Sequence, residues 1–70
     1  MKLLRIHRGE HVSVFMDGAT MQGVLTGTSF DGLTLSDARI FAEGAADWTD
    51  LEGSVFVPAL SVSWVQVIGQ

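Results

Sequence analysis

The sequence has 70 residues, a net charge of −4 and a hydrophobic content of 47%, which predicts one small domain over residues 1–70. The lack of cysteine excludes disulfides and thiolate zinc sites, and two histidines are too few for a structural zinc site. A lone domain of this size buries only ~60% of its unfolded surface. We therefore expect a homo-oligomer, in which neighbouring subunits cover the apolar excess.

Membrane insertion and export are both disfavoured by the sequence. No apolar run approaches the ~20 residues that a membrane-spanning helix needs. The first eight residues contain basic side chains but lack the apolar stretch and cleavage site of a signal peptide. We therefore expect a cytoplasmic protein that does not bind membranes.

Positive charge is concentrated at one end of the chain. Lys2, Arg5 and Arg8 lie within the first eight residues, whereas from Gly9 onward Arg39 is the single Lys or Arg against eight carboxylates. This balance disfavours nucleic-acid binding by most of the surface, because phosphate contacts need basic side chains. Any cationic face must come from the N-terminus, multiplied by the symmetry of an oligomer.

Alternating apolar and polar residues predict half-buried β-strands in the first half of the chain. The first strand carries Val12 and Val14 and ends at Asp17-Gly18, a hairpin turn signal. The second strand covers residues 20–27 and is interrupted by Gly23 and Gly27. A glycine inside a strand indicates a bend or a close backbone approach.

Three further strands follow. The third carries Leu33 and Leu35 and ends near Asp37, and the fourth, around residues 55–57, is stopped by Pro58. The fifth, over residues 62–68, is nearly continuous in apolar residues, which predicts that both of its faces are covered. Five short strands with a bent second strand predict a mostly β fold, a small antiparallel barrel.

Two segments are open to more than one interpretation. Residues 1–8 fit either a short helix that ends before Gly9 or an extension of the first strand. Residues 41–51 join the third and fourth strands, and their acidic side chains predict an exposed loop held in place by Trp48.

The order of these pieces resembles the Sm-like (LSm) protein family. Its first motif is similar to the run from Gly9 through Val12, Val14, the two glycines of the second strand, Leu33, Leu35 and Asp37-Ala38. Its second motif is similar to residues 53–57 followed by Val62 and Val65. The resemblance extends over residues 9–68.

The resemblance implies a five-stranded SH3-like barrel, usually behind a short N-terminal helix. Such subunits assemble into rings of six or seven, in which the fourth strand of one subunit pairs with the fifth strand of its neighbour. In this sequence those two strands carry the expected interface residues, which are Val55, Val57, Trp64, Val65 and Val67. The resemblance also implies binding of single-stranded, often uridine-rich, RNA.

The sequence departs from the family at the RNA-binding positions. The loop after Gly27 is one residue shorter and lacks the Asn that contacts a base, and Pro58 stands where the family has an Arg. Phe30 remains as a residue that either stacks on a base or anchors the loop on the barrel rim. Asp31 remains as an acidic group in the same loop.

Two functions follow as hypotheses. The first is a homo-oligomeric ring that binds RNA weakly or with unusual specificity through Phe30, Asp31 and the basic residues Lys2, Arg5 and Arg8. The alternative is a ring that serves protein–protein interaction, with Trp48 and the acidic residues 43–52 facing the partner. No catalytic motif is present, so we expect no enzymatic activity, no cofactor and no bound metal.

Overall fold

The computed structural model describes residues 9–68, which form one antiparallel β-sheet. The strands are β1 His11–Met16, β2 Ala19–Ser29, β3 Gly32–Ala42, β4 Thr49–Asp50, β5 Val55–Pro58 and β6 Val62–Ile68, with a single 3-10 turn at Ala59–Ser61. The choice between helix and strand for residues 1–8 lies outside the described residues. Within residues 9–68, no helix is long and apolar enough to cross a membrane.

The sheet runs in the order β4-β3-β2-β1-β6, and β5 pairs with β3 off this path. The long strand β3 serves both ends of the fold, because its first half pairs with β5 and its second half pairs with β4. The result is the expected mostly β, SH3-like antiparallel barrel, which is left open between β5 and β6.

A β-bulge produces the bend in β2 and β3. Two residues of β3, Asp37 and Ala38, lie opposite the single residue Gly23 of β2, and Asp37 has a positive φ of 50°. A Cβ at Gly23 would lie 3.0 Å from the carbonyl oxygen of Ser36, a close approach that favours glycine. The bend predicted at Gly23 is therefore confirmed, and its physical basis is this bulge.

The core is formed by side chains of β1, β2, β3 and β5. The fully buried side chains come from the first three strands and are Val12, Val14, Leu25, Leu33 and Leu35. Val57 of β5 is 2% exposed and completes this cluster. Each such side chain contributes about 1.5–3 kcal/mol by leaving water, so the alternating pattern determines which face is buried.

Two predictions about the strands were wrong. β3 does not end near Asp37 but continues to Ala42. Aspartate commonly ends strands, but here the bulge accommodates Asp37, with its positive φ, inside β3. Residues 41–51 are not entirely loop, since the short strand β4 pairs with Arg39 and Ile40. The exposure of residues 43–47 and the half-burial of Trp48 agree with the predicted acidic loop.

The prediction that both faces of the last strand are covered was also wrong for the single chain. Trp64 is 54% exposed and Val67 is 41% exposed. The reason is topological, because β6 is an edge strand that pairs only with β1 within residues 9–68.

Candidate nucleic-acid interface

Phe30 and Asp31 form a two-residue loop at the tip of the β2–β3 hairpin, because Ser29 pairs directly with Gly32. The backbone N–H of Asp31 donates a hydrogen bond to Oγ of Ser29 at 3.2 Å. The Asp31 side chain is exposed, and Phe30 is 93% exposed. The interpretation of Phe30 as an anchor on the barrel rim is therefore wrong, because its ring lies in solvent.

The 3-10 turn of the second motif is held against this loop. The backbone N–H of Ala59 donates a hydrogen bond to the carbonyl oxygen of Asp31 at 2.8 Å. Leu60, the next residue, is fully exposed. We call the group Phe30, Asp31, Ala59 and Leu60 the tip site. It joins parts of the two sequence motifs that are far apart in the chain.

Crowding by β5 leaves no room for a side chain at Gly32, the residue after Asp31. A Cβ at Gly32 would overlap the carbonyl oxygen of Val57 and would lie 2.9 Å from the ring of Phe56 and 3.0 Å from Cα of Pro58. The backbone of β5 crosses Gly32 too closely for any other residue. The position before Leu33 therefore has no room for an amide side chain.

The tip site contains no basic side chain. Arg39 is the only Lys or Arg in residues 9–68, and its guanidinium lies 4.4 Å from the centre of the Trp48 ring. The same guanidinium donates a hydrogen bond to Oε1 of Gln22 at 3.0 Å. The other predicted contacts, Lys2, Arg5 and Arg8, lie outside the described residues.

The predicted interface residues lie on two strands that each have one unpaired edge within residues 9–68. The β5 edge contains Val55, which is half-buried, and Val57, whose side chain is buried inside the monomer. The β6 edge contains Val65, which is half-buried, and the exposed residues Trp64 and Val67. The side chain of Val57 is therefore used inside the chain, and its backbone pairs with Leu33 of β3.

An open apolar groove of about 480 Å³ separates β5 from β6. Its walls include Met16, Met21 and Ile40 from the first three strands, together with Leu60 and Val62. The groove therefore lies between two strands that each have one edge of unpaired backbone groups.

A comparison with solved structures identifies a similar fold. The Sm protein of Pyrococcus abyssii, solved in complex with a uridine heptamer, superposes with a TM-score of 0.74 at 19% sequence identity, over 87% of this chain and 86% of that one. The chain has an Sm-like fold. No protein-family model and no curated protein sequence matches it.

Three features of this Sm-like domain escaped sequence reasoning. The close approach at Gly32 and the exposure of Leu60 depend on how β5 crosses β3, which no local pattern encodes. The third is the stacking of Phe15 on Trp64, with ring centres 3.9 Å apart and planes 7° apart. The two aromatic residues lie directly opposite each other on the paired strands β1 and β6, a register that the sequence of either strand alone does not specify.

Proposed function

We propose that this chain forms a homo-oligomeric Sm-like ring that binds single-stranded RNA at its tip sites. The observation that carries the proposal is the hydrogen bond from Ala59 to Asp31, which ties the loop with the exposed Phe30 ring to the 3-10 turn before β6. The similar Pyrococcus protein was solved with RNA, which supports RNA as the ligand class. The activity is binding without catalysis, and we place it in the cytoplasm.

Two unpaired strand edges support the proposed ring. β5 and β6 each lack a partner on one side within residues 9–68, and the groove between them is apolar. If β5 of one subunit pairs with β6 of the next, every such edge gains a partner when the ring closes. Six or seven subunits would satisfy this head-to-tail contact, and the exposed Val67 and Trp64 would lie at or beside it.

Base stacking is the main source of RNA affinity in this proposal. An aromatic side chain contributes about 1–3 kcal/mol per stacked base and tolerates every base. The Phe30 ring is exposed to solvent, so no other side chain within residues 9–68 covers the face on which a base would stack. The tip sites of a ring would present one such platform per subunit, so a single RNA strand would contact several of them.

The phosphate contacts in this proposal come from Lys2, Arg5 and Arg8. In a hexamer these residues amount to about 18 cationic groups under closed symmetry. Because the remaining chain carries one basic residue against eight carboxylates, we expect weak binding that depends strongly on salt.

The alternative function is a ring that binds a protein. The net charge of −7 from Gly9 onward favours it, since such a surface repels phosphates. The position of Trp48 counts against its role as a partner anchor, because its ring packs on Phe41 with centres 5.4 Å apart and lies under the Arg39 guanidinium.

Fluorescence anisotropy with short uridine-rich and adenine-rich RNAs separates the two functions. We expect binding at low salt that weakens at physiological salt. If no RNA binds even at low salt, RNA binding is excluded and the protein-scaffold function is favoured.

A further inference from the structure

The tip site offers an RNA base one polar side chain, the carboxylate of Asp31. Two nearby backbone donors are already used, since the N–H of Asp31 bonds to Ser29 and the N–H of Ala59 bonds to the Asp31 carbonyl. The hydrogen bonds among residues 9–68 include none to the Asp31 carboxylate, and that side chain is exposed. Asp31 directly follows Phe30 in the two-residue loop, so a base that stacks on Phe30 lies near an exposed carboxylate acceptor.

An ionised carboxylate accepts hydrogen bonds and donates none. The pairing edge of guanine carries two adjacent donors, N1–H and the 2-amino group, which match the two oxygens of one carboxylate. The pairing edge of uracil carries a single donor, N3–H, flanked on both sides by carbonyl oxygens that repel the carboxylate. Adenine and cytosine lie between these extremes, with one amino donor next to one ring acceptor.

We propose that the tip site selects guanine over uracil, with Asp31 as the specificity-determining residue and Phe30 as the stacking platform. The inference rests on the proposed RNA binding and deepens it by naming the preferred base. Guanine also presents a larger ring system than uracil to Phe30, which acts in the same direction. Position 32 has no room for a side chain, so the residue after Asp31 offers no side-chain donor to uracil.

The test measures the affinity of the full chain for labelled nonamers of adenosine that carry guanosine, inosine or uridine at two central positions. Charged, bidentate hydrogen bonds discriminate strongly between bases. We expect the guanosine probe to bind about tenfold more tightly than the uridine probe. The inosine probe should lose most of this advantage, because inosine lacks the 2-amino group.

Asp31→Asn is the diagnostic variant, since an amide both donates and accepts and no longer discriminates by charge. We expect the ratio of guanosine to uridine affinity to fall to within about twofold. Asp50→Asn is the matched control, because it removes the same charge from an exposed side chain on β4. This control should keep the native ratio.

Two results would overturn the base preference while leaving RNA binding intact. One is a native chain that binds the uridine probe as tightly as the guanosine probe, and the other is an Asp31→Asn variant that keeps the native ratio. If none of the probes binds at low salt, the proposed function itself fails, and the base preference fails with it.

Discussion

The backbone N–H of Ala59 donates to the carbonyl oxygen of Asp31 across 2.8 Å, and this bond joins the β2–β3 hairpin to the turn before β6. The side chains on either side of it, Phe30 and Leu60, are almost fully exposed. The backbone therefore supplies the rigidity of the tip site, and the side chains are free for contact with a ligand. Substitutions of these side chains test binding without disturbing the core.

Phe30→Ala tests the stacking platform. Because the ring is 93% exposed, the thermal unfolding midpoint should stay within a few degrees of the native value. RNA affinity, measured by fluorescence anisotropy, should fall by about 1–3 kcal/mol for each base that loses its stacking partner.

Phe30→Trp and Phe30→Leu are the controls for this prediction. The first keeps a π-face and should bind RNA at least as well as the native chain, whereas the second keeps apolar bulk and should resemble Phe30→Ala. Equal binding by the alanine variant and the native chain would remove Phe30 from the site.

Gly32→Ala tests the crossing of β5 over the hairpin. The added Cβ would overlap the Val57 carbonyl oxygen, and we expect a loss of about 3 kcal/mol in the free energy of unfolding, measured by urea titration. Gly27→Ala is the matched control, because its Cβ would meet Thr34 at an ordinary 3.8 Å. Similar stabilities for the two variants would contradict the close approach at Gly32.

The sequence predicted those parts of the fold that depend on local alternation and turn chemistry. The span of β6 matches residues 62–68, and Asp17-Gly18 forms the expected turn, with a φ of 83° at Gly18. The continuation of β3 beyond Asp37 was not predictable by the same means, because it depends on a bulge opposite Gly23. A bulge is visible only when two strands are compared in register.

The candidate site was predictable in its residues but not in its geometry. The position of Phe30 and Asp31 in a short loop follows from the sequence, since a glycine turn separates two apolar strands. Their contact with Ala59 and the exclusion of side chains at Gly32 are long-range effects. They depend on how β5 packs against the start of β3, which the local sequence of either strand does not specify.

Trp48→Ala tests whether the acidic loop is held by its tryptophan. The ring contacts Phe41 and the Arg39 guanidinium, so we expect a loss of about 1–2 kcal/mol in the free energy of unfolding. A double-mutant cycle with Arg39→Gln should give a coupling energy of about 0.5–1 kcal/mol. Unchanged stability of Trp48→Ala, together with loss of a protein partner, would instead favour the alternative function.

The salt dependence of RNA binding tests the proposed phosphate contacts of the N-terminal residues. Each phosphate contact to a single strand contributes about −0.7 to the slope of log affinity against log salt. Replacement of Lys2, Arg5 and Arg8 by alanine leaves Arg39 as the only Lys or Arg, so the slope should become shallow. Arg39→Gln is the control and should keep the native slope, because the Arg39 guanidinium already contacts Trp48 and Gln22. An unchanged slope in the triple variant would exclude the N-terminus as the phosphate-binding segment.

A substitution at Val67 tests the proposed contact between subunits. Val67 is 41% exposed on the edge strand β6, so Val67→Glu should leave the monomer folded but place a charge at the contact with the next subunit. We expect this variant to be monomeric by light scattering while its circular dichroism spectrum stays β-rich.

Native mass spectrometry of the full chain at micromolar concentration tests the ring most directly. The proposed ring predicts a closed species of six or seven 7.5 kDa chains that gains one RNA strand when a short oligonucleotide is added. A monodisperse monomer under the same conditions, with or without RNA, would contradict the account.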